Sequence, residues 1–226
     1  MCNLYKSTPR DGINMRHLVQ LPELLYADTI APLKPGPFVM AQGASAIGQW
    51  GMIPPDSKER NPKTKQGKRM STNNARTETV ASAWTYRFPW QRGQRCLIPA
   101  DSFDEPYWGT GKNIWWRFRR ADGQPWALAG IWNEWIEPET GELVPNYTML
   151  TQNCDGHPLL RLMHRPDPRL GEAAQDKRSV VPIEQEHWDE WLHGNKEQAL
   201  ALIRLPDMAC IAHGPADQAL EVALPL

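Results

Sequence analysis

The stretch from residue 95 to residue 152 constrains this fold more than any other, because four of its segments read as strand. Arg95-Cys96-Leu97-Ile98-Pro99-Ala100 is an apolar run with the length of a buried strand. Ile114 to Arg119 and Pro125 to Trp132 are rich in aromatic and β-branched residues, which suit a pleated, half-buried surface. Tyr147 to Gln152 adds a further strand. Arg120-Ala121-Asp122-Gly123 joins the middle two runs, and Asp-Gly favours the positive φ that tight hairpin turns need. This is the strongest hairpin signal in the chain, so 114–119 and 125–132 are expected to pair.

After residue 182 the period changes. Pro182 precedes a run in which Trp188, Trp191 and Leu192 share one helical face, with Gly194 as its stop. Asn195 and Gln198 match a capping box for a second helix that turns Leu202 and Ile203 inward. A strand-rich centre followed by a helical tail, about 182–205, argues for the α+β class. Upstream, residues 15–34 read as a short helical or irregular lead-in ending in the Pro32-Leu33-Lys34-Pro35 turn. Phe38 to Ala41 reads as a strand, 48–54 as an aromatic site wall punctuated by Gly and Pro, and 79–86 as a short helix stopped by Pro89. With 226 residues and no Gly/Ser linker, a single domain over 2–226 is expected.

Charge narrows the partners. A net charge of −1 argues against indiscriminate coating of nucleic acid but permits a local basic groove. Lys58, Arg60, Lys63, Lys65, Lys68 and Arg69 stand against Glu59 alone. They read either as a solvated loop or, because Asn74 follows closely, as a phosphate-contacting one. Most of the 11 tryptophans are expected in the core or in groove walls, with a minority left to stack on bases. Cys2, Cys96, Cys154 and Cys210 show no C-x-x-C pairing, so neither a zinc site nor a disulfide scaffold is expected, and Cys96 reads as core. Neither a secretory signal nor a spanning apolar stretch is evident, which points to the reducing cytoplasm.

Cys2 carries the chemistry. It follows Met1, and a residue this small permits methionine removal. The product would hold a free α-amine and a thiol on adjacent carbons, a pair that condenses with an aldehyde through a Schiff base to a five-membered thiazolidine. In model peptides the amine titrates near pH ~8 and the thiol slightly above, so both are partly unprotonated at neutral pH.

Further motifs give Cys2 a context. Asn74-Ala75-Arg76-Thr77-Glu78-Thr79 is an N-A-R-x-E-T string behind a W-G-M-I-P segment at 50–54. Glu105 lies in D-S-F-D-E-P-Y-W, and His164 in L-M-H-R-P. Together these resemble the SOS response-associated peptidase family, or abasic-site processing domain, from Cys2 to about residue 168, weakening beyond. The resemblance implies one domain with a barrel-like or mixed-sheet centre and flanking helices. It also implies that Cys2, Asn74, Glu105 and His164 form a pocket for an abasic site in single-stranded or junction DNA, and that the product is a stable DNA–protein crosslink shielding the lesion. It implies loss of the initial methionine by self-cleavage, for which ordinary aminopeptidase action would suffice. In that scheme Cys2 supplies both nucleophiles and His164 shuttles a proton during sugar ring opening. Glu105 accepts a proton from, or orients, the α-ammonium. Asn74 offers a neutral donor and acceptor, and Arg76 forks a flanking phosphate. Trp50 and the six basic residues of 58–69 complete the expected DNA contacts. The chemistry needs no metal or organic cofactor. Replication-fork partners follow by family analogy only, and a monomer is expected.

The chain departs from the family's usual pattern in several places. Asn3 and Leu4 replace Gly-Arg, Asp104 and Pro106 flank Glu105 where aromatic residues are usual, and Arg165-Pro166-Asp167-Pro168 follows His164. Asp104 either adds a second carboxylate to the pocket or faces solvent. Glu78 reads as a structural partner of Arg76 or of backbone amides. His157 shares a loop with His164 and is the hardest of the other histidines to set aside. Two other functions compete: a cysteine peptidase using Cys2, His164 and Glu105, and a non-catalytic DNA-binding module.

Overall fold

The computed structural model of the protein describes residues 2–8, 26–171, 174–216 and 221–222. Most of the expected lead-in over 15–34 therefore lies outside the described residues. The strands in chain order are β1 Tyr5–Ser7, β2 Thr29–Ile30, β3 Pro35–Val39, β4 Ser45–Trp50, β5 Asn74–Arg76, β6 Arg95–Tyr107, β7 Ile114–Arg120, β8 Trp126–Ile136, β9 Leu143–Asn153, β10 Arg178–Val180, β11 Ile211–Pro215 and β12 Glu221–Val222. Among the described residues three short α-helices accompany them, α1 Arg87–Gln91, α2 Trp188–His193 and α3 Lys196–Ala201. The α+β class and the barrel-like centre both hold.

Closure follows from the pairing. β3 pairs antiparallel with β4, β4 parallel with β9, β9 antiparallel with β8, β8 with β6, and β6 returns to β3 through Val39 and Leu97. The ring leaves none of these five strands as an open edge over its paired length. β6 is the seam of the molecule. Its first half, Arg95 to Ala100, pairs with β8 inside the ring. Its second half runs between β1 and β7, with Phe103 opposite Tyr5 on one side and Phe118 on the other. β7 passes the sheet on to β11 and β12.

That seam overturns the expected hairpin. The Asp122-Gly123 turn forms: Gly123 adopts φ 74°, its N–H donates to the Arg120 carbonyl at 3.2 Å, and Asp122 Oδ1 accepts from Gln124 N at 2.9 Å. Yet β7 pairs with β6 and β11, whereas β8 pairs with β6 and β9. The turn hands the chain from one half of β6 to the other rather than folding it on itself. Turn chemistry is local, but pairing is decided by which strand offers the longer complementary apolar face.

Side-chain alternation places the two cores. Cys96, Ile98 and Ala100 of β6 and Trp126 and Leu128 of β8 share one core with Phe38, Trp50 and Tyr147. Leu97, Ala127, Ala129 and Ile131 turn the other way and pack with Trp90 of α1 and Trp191, Leu192 and Ala199 of α2 and α3. Each fully buried Leu or Ile among them stabilises the fold by ~1.5–3 kcal/mol. The tail matches its capping signals, although α3 ends at Ala201, so Leu202 is its C-cap and Ile203 follows it, both packing part-buried on the core. Asn195 and Gln198 form the reciprocal capping box, and Gly194 follows α2. The buried Arg95 guanidinium donates to the Trp191 and Gly194 carbonyls, satisfying acceptors that the end of α2 leaves open.

The expected helix over 79–86 is a series of turns instead, and α1 begins at Arg87. Pro89 sits within the first turn, where its missing N–H has no intrahelical role, so it starts the helix rather than stopping one. Likewise 48–50 belong to strand β4, and only the following residues form the irregular segment expected over 48–54.

Candidate active site

The site is assembled around Cys2 by the first strand. β1 lies antiparallel on the second half of β6, and Asp104 N donates to the Leu4 carbonyl at 3.0 Å, which lays residues 2–4 along Glu105. Cys2 is fully buried. Its carbonyl oxygen accepts from two amides, Asn73 Nδ2 at 3.0 Å and Asn74 Nδ2 at 2.7 Å, and its thiol donates to the Leu4 carbonyl at 3.5 Å. Asn74 heads β5, whose parallel pairing with β9 sets Asn74 opposite Met149. Asn74 Oδ1 is buried and unpartnered among the described residues.

Glu105 occupies the second half of β6 and is 2% exposed. Its Oε2 lies 3.0 Å from His164 Nε2, an ion-pair distance, and neither carboxylate oxygen has a hydrogen-bond partner among the described residues. His164 itself is held in the left-handed region at φ 61°, uncommon for a residue with a Cβ. Its N–H donates to the Pro106 carbonyl at 2.6 Å, its carbonyl accepts from Lys177 Nζ at 2.5 Å, and the preceding Met163 bridges to Tyr107. The end of β6 thus fixes both members of the Glu105–His164 pair. A cavity of about 340 Å³, lined in part by Trp108, Leu162, His164, Pro166 and Lys177, gives access to the histidine side.

Electrostatics act strongly on the Cys2 thiol. Burial first, and then the nearby Glu105 carboxylate, push the thiol well above its ordinary range. The sulfur is therefore a neutral thiol at neutral pH. Asp104, expected either in the pocket or facing solvent, does neither. Alternation turns it to the face opposite Glu105, where it is buried and takes a bidentate pair from Arg117 at 2.9 and 2.8 Å.

The structure thus brings Cys2, Asn74, Glu105 and His164 together, and separates the expected DNA contacts from them. Arg76 pairs with Asp176 at 2.9 Å. Asp176 also holds Arg178, and Arg178 reaches Glu78 at 2.6 Å. Glu78 is structural as expected, but its partner is Arg178 rather than Arg76. Lys58, Arg60, Lys63, Lys65, Lys68 and Arg69 are all exposed. They ride on a small hairpin in which Lys63 bridges Arg69 and Thr64 N donates to the Lys68 carbonyl at 2.7 Å.

Trp50 is a correction. It is fully buried, edge-on to Tyr5 at 5.0 Å, and its indole N–H donates to the Asn73 carbonyl at 2.9 Å. Its ring has no surface for a base and instead braces the residue whose amide grips Cys2. Asn73 is the residue that sequence reading missed, although the Asn73-Asn74 doublet was there to be read. Lys177 gave no sequence signal, because it lies 13 residues from the histidine it supports. His157 is structural: Nδ1 accepts from the Leu159 and Leu160 amides, and Nε2 contacts the Pro206 carbonyl.

All four cysteines are unpaired, and among the described residues no group of three or more His, Cys, Asp or Glu is placed to hold a metal. No helix of the described residues is long and apolar enough to cross a membrane.

Residues 14–218 match the family model described as SOS response associated peptidase (SRAP). The abasic site processing protein HMCES of Gallus gallus is 27% identical over 178 residues, covering 69% of this chain and 48% of that protein. The abasic site processing protein YobE of Bacillus subtilis is 36% identical over 148 residues, covering 64% of this chain and 57% of its own length. The match thus spans about half the length of the curated relatives. A crystal structure of a Bordetella bronchiseptica protein superposes with a TM-score of 0.81 at 31% identity, covering 96% of this chain and 100% of the other.

Proposed function

The chain belongs to the SOS response-associated peptidase family, and on that premise we propose that it captures abasic sites in single-stranded DNA by forming a thiazolidine at Cys2. The observation that carries this reading is the way Cys2 is held. Two amides grip its carbonyl, so that anchor draws on neither its backbone nitrogen nor its sulfur. Beside it, Glu105 Oε1 and Asn74 Oδ1 are buried acceptors without partners among the described residues. Unpaired buried acceptors are costly, and an incoming ammonium or sugar hydroxyl would satisfy both.

In the proposed sequence Met1 is removed by hydrolysis, exposing the α-amine. The open-chain aldehyde of the abasic deoxyribose is attacked by that amine, giving a carbinolamine. Loss of water then forms the imine, with His164 and Glu105 transferring protons across their 3.0 Å contact. The thiol adds last: sulfur bonds to the imine carbon and its proton passes to nitrogen. The net change is aldehyde plus cysteine to thiazolidine plus one water.

The same environment weighs against a cysteine peptidase. Such an enzyme needs a thiolate activated by its histidine. Here burial keeps the thiol protonated, and it donates to the Leu4 carbonyl.

Intact mass of the protein, before and after incubation with a single-stranded oligonucleotide carrying one abasic site, tests the proposal. Loss of Met1 followed by a heat-stable one-to-one adduct, at the combined mass less one water, is expected. Processed protein with no adduct would overturn it.

A further inference from the structure

Outside the Cys2 pocket, the least conventional use of an aromatic residue is Trp84. It is 47% exposed, whereas most of the tryptophans are buried or partly so. It is nevertheless pinned. Its indole N–H donates to Asp56 Oδ1 at 2.7 Å, its ring meets Phe88 edge-on at 5.4 Å, and the Arg87 guanidinium lies 4.5 Å from the ring centroid. A large apolar ring that is both exposed and immobilised loses little freedom on binding, which is how a stacking platform is prepared in advance.

The ring does not stand alone. It lines a hollow of about 1030 Å³ together with Lys58, Lys63, Lys65, Met70 and Thr85, so the basic hairpin forms one wall and the tryptophan another. Lys63 is paired with Glu59, but among the described residues neither Lys58 nor Lys65 has an ion-pair partner. Asp56 and Glu59 also line the hollow, but Asp56 is engaged by the Trp84 indole and Glu59 by Lys63, which leaves Lys58 and Lys65 beside an open aromatic face to meet a polyanion with flat, unpaired bases. The hollow also adjoins the reactive segment. Two residues after Trp84, Tyr86 donates from its hydroxyl to the Asn74 carbonyl at 3.2 Å, and the basic hairpin runs into Thr72, whose carbonyl accepts from Met52 N.

We propose that Trp84 is the stacking platform for one base of single-stranded DNA flanking the lesion, with the phosphates of that strand running along Lys58 and Lys65. This assigns to Trp84 the aromatic contact that Trp50, buried in the core, cannot make. The proposal rests on the Cys2 reading for its substrate class.

Equilibrium binding to a single-stranded oligonucleotide with a tetrahydrofuran residue at the lesion, which has no aldehyde, tests it separately from the chemistry. Bases on each flank are replaced by further tetrahydrofuran residues one at a time. Base–aromatic stacking of ~1–3 kcal/mol predicts that the wild type loses roughly five-fold or more in affinity at one flanking position. Trp84→Ala should show that loss on the intact strand and no further loss when that base is removed, while Trp84→Phe should keep most of the affinity. Unchanged binding by Trp84→Ala, or losses that add at every flanking position, would overturn the platform. An aldehyde-bearing strand is run in parallel. An adduct formed by the wild type with no coupling at Trp84 sinks the platform alone, and coupling without an adduct sinks the Cys2 chemistry alone.

Discussion

The Cys2 pocket and the basic hairpin over 58–69 lie close together in the chain's path through Thr72 to Asn74, yet they are built on opposite principles. In the pocket Cys2, Asn74 and Glu105 are buried; β5 supplies Asn74, β6 supplies Glu105, and Cys2 is the lead-in to β1, so position is fixed by long-range pairing. In the hairpin six cations stand in solvent on a local turn, where screening makes any one charge pair weak. Under the proposed function, geometry should set rate in the first region and charge should set affinity in the second. Substitutions in one should leave the other's observable unchanged.

The largest effect expected is from Cys2→Ala. Heat-stable adduct on a denaturing gel should vanish, leaving only a borohydride-trappable imine, and an adduct of undiminished stability would end the thiazolidine reading. Glu105→Gln and His164→Ala should each slow single-turnover adduct formation by ~10²–10⁴-fold, the range for losing a positioned acid or base. Their affinity for tetrahydrofuran-containing strand should stay at the wild-type value, and a matching fall in both quantities would erase the contrast between the two regions. Asn73→Ala removes one of two donors from the Cys2 carbonyl. One buried hydrogen bond at ~1–1.5 kcal/mol corresponds to roughly ten-fold in rate, and full activity would return Asn73 to a plain packing role.

Charge reversal at Lys65 and Lys68 should be milder and of another kind. Affinity should fall most at low salt, and the salt dependence should flatten by ~0.7 for each single-strand phosphate that is no longer neutralised. The rate at saturating DNA should be preserved. A fall in affinity independent of salt would show that the hairpin acts through shape. The smallest expected effect concerns His157. Burial lowers its pKa from the ordinary 6.5, so the unfolded chain takes up the proton first as the medium turns acid. Its contribution to stability is present above about pH 6.5 and declines as pH falls through the lower folded value. Replacing it with Asn should remove that shallow acid-side slope in thermal melts without altering the pH dependence of adduct formation.

What the sequence made legible was whatever is encoded locally or in residue chemistry. Asn195 and Gln198 specify their cap within four residues, and Cys2, Asn74, Glu105 and His164 stood out as groups with the right chemistry. What it hid was where distant segments meet. The Asp122-Gly123 turn is real but says nothing about which strand β7 and β8 will choose, and the choice was made by the length of β6. Trp50 and Trp84 are the same residue type beside equally suggestive neighbours. One is core and one is surface because strand β4 is walled in by β3 and β9, whereas 77–86 are turns on the outside. Lys177 reaches His164 only through folding.

Strand β6 has a consequence for how such a chain can change over evolutionary time. Phe103 is locked between Tyr5 and Phe118, two residues before Glu105, and side chains along a strand alternate between faces. Substituting a letter on either side of Glu105 is therefore tolerable, as Asp104 with its Arg117 partner illustrates. Inserting or deleting a single residue between Phe103 and Glu105 is not. It would rotate the carboxylate to the Arg117 side and carry its neighbour into the pocket. Lineages of this fold are free to respell the strand but must keep its count.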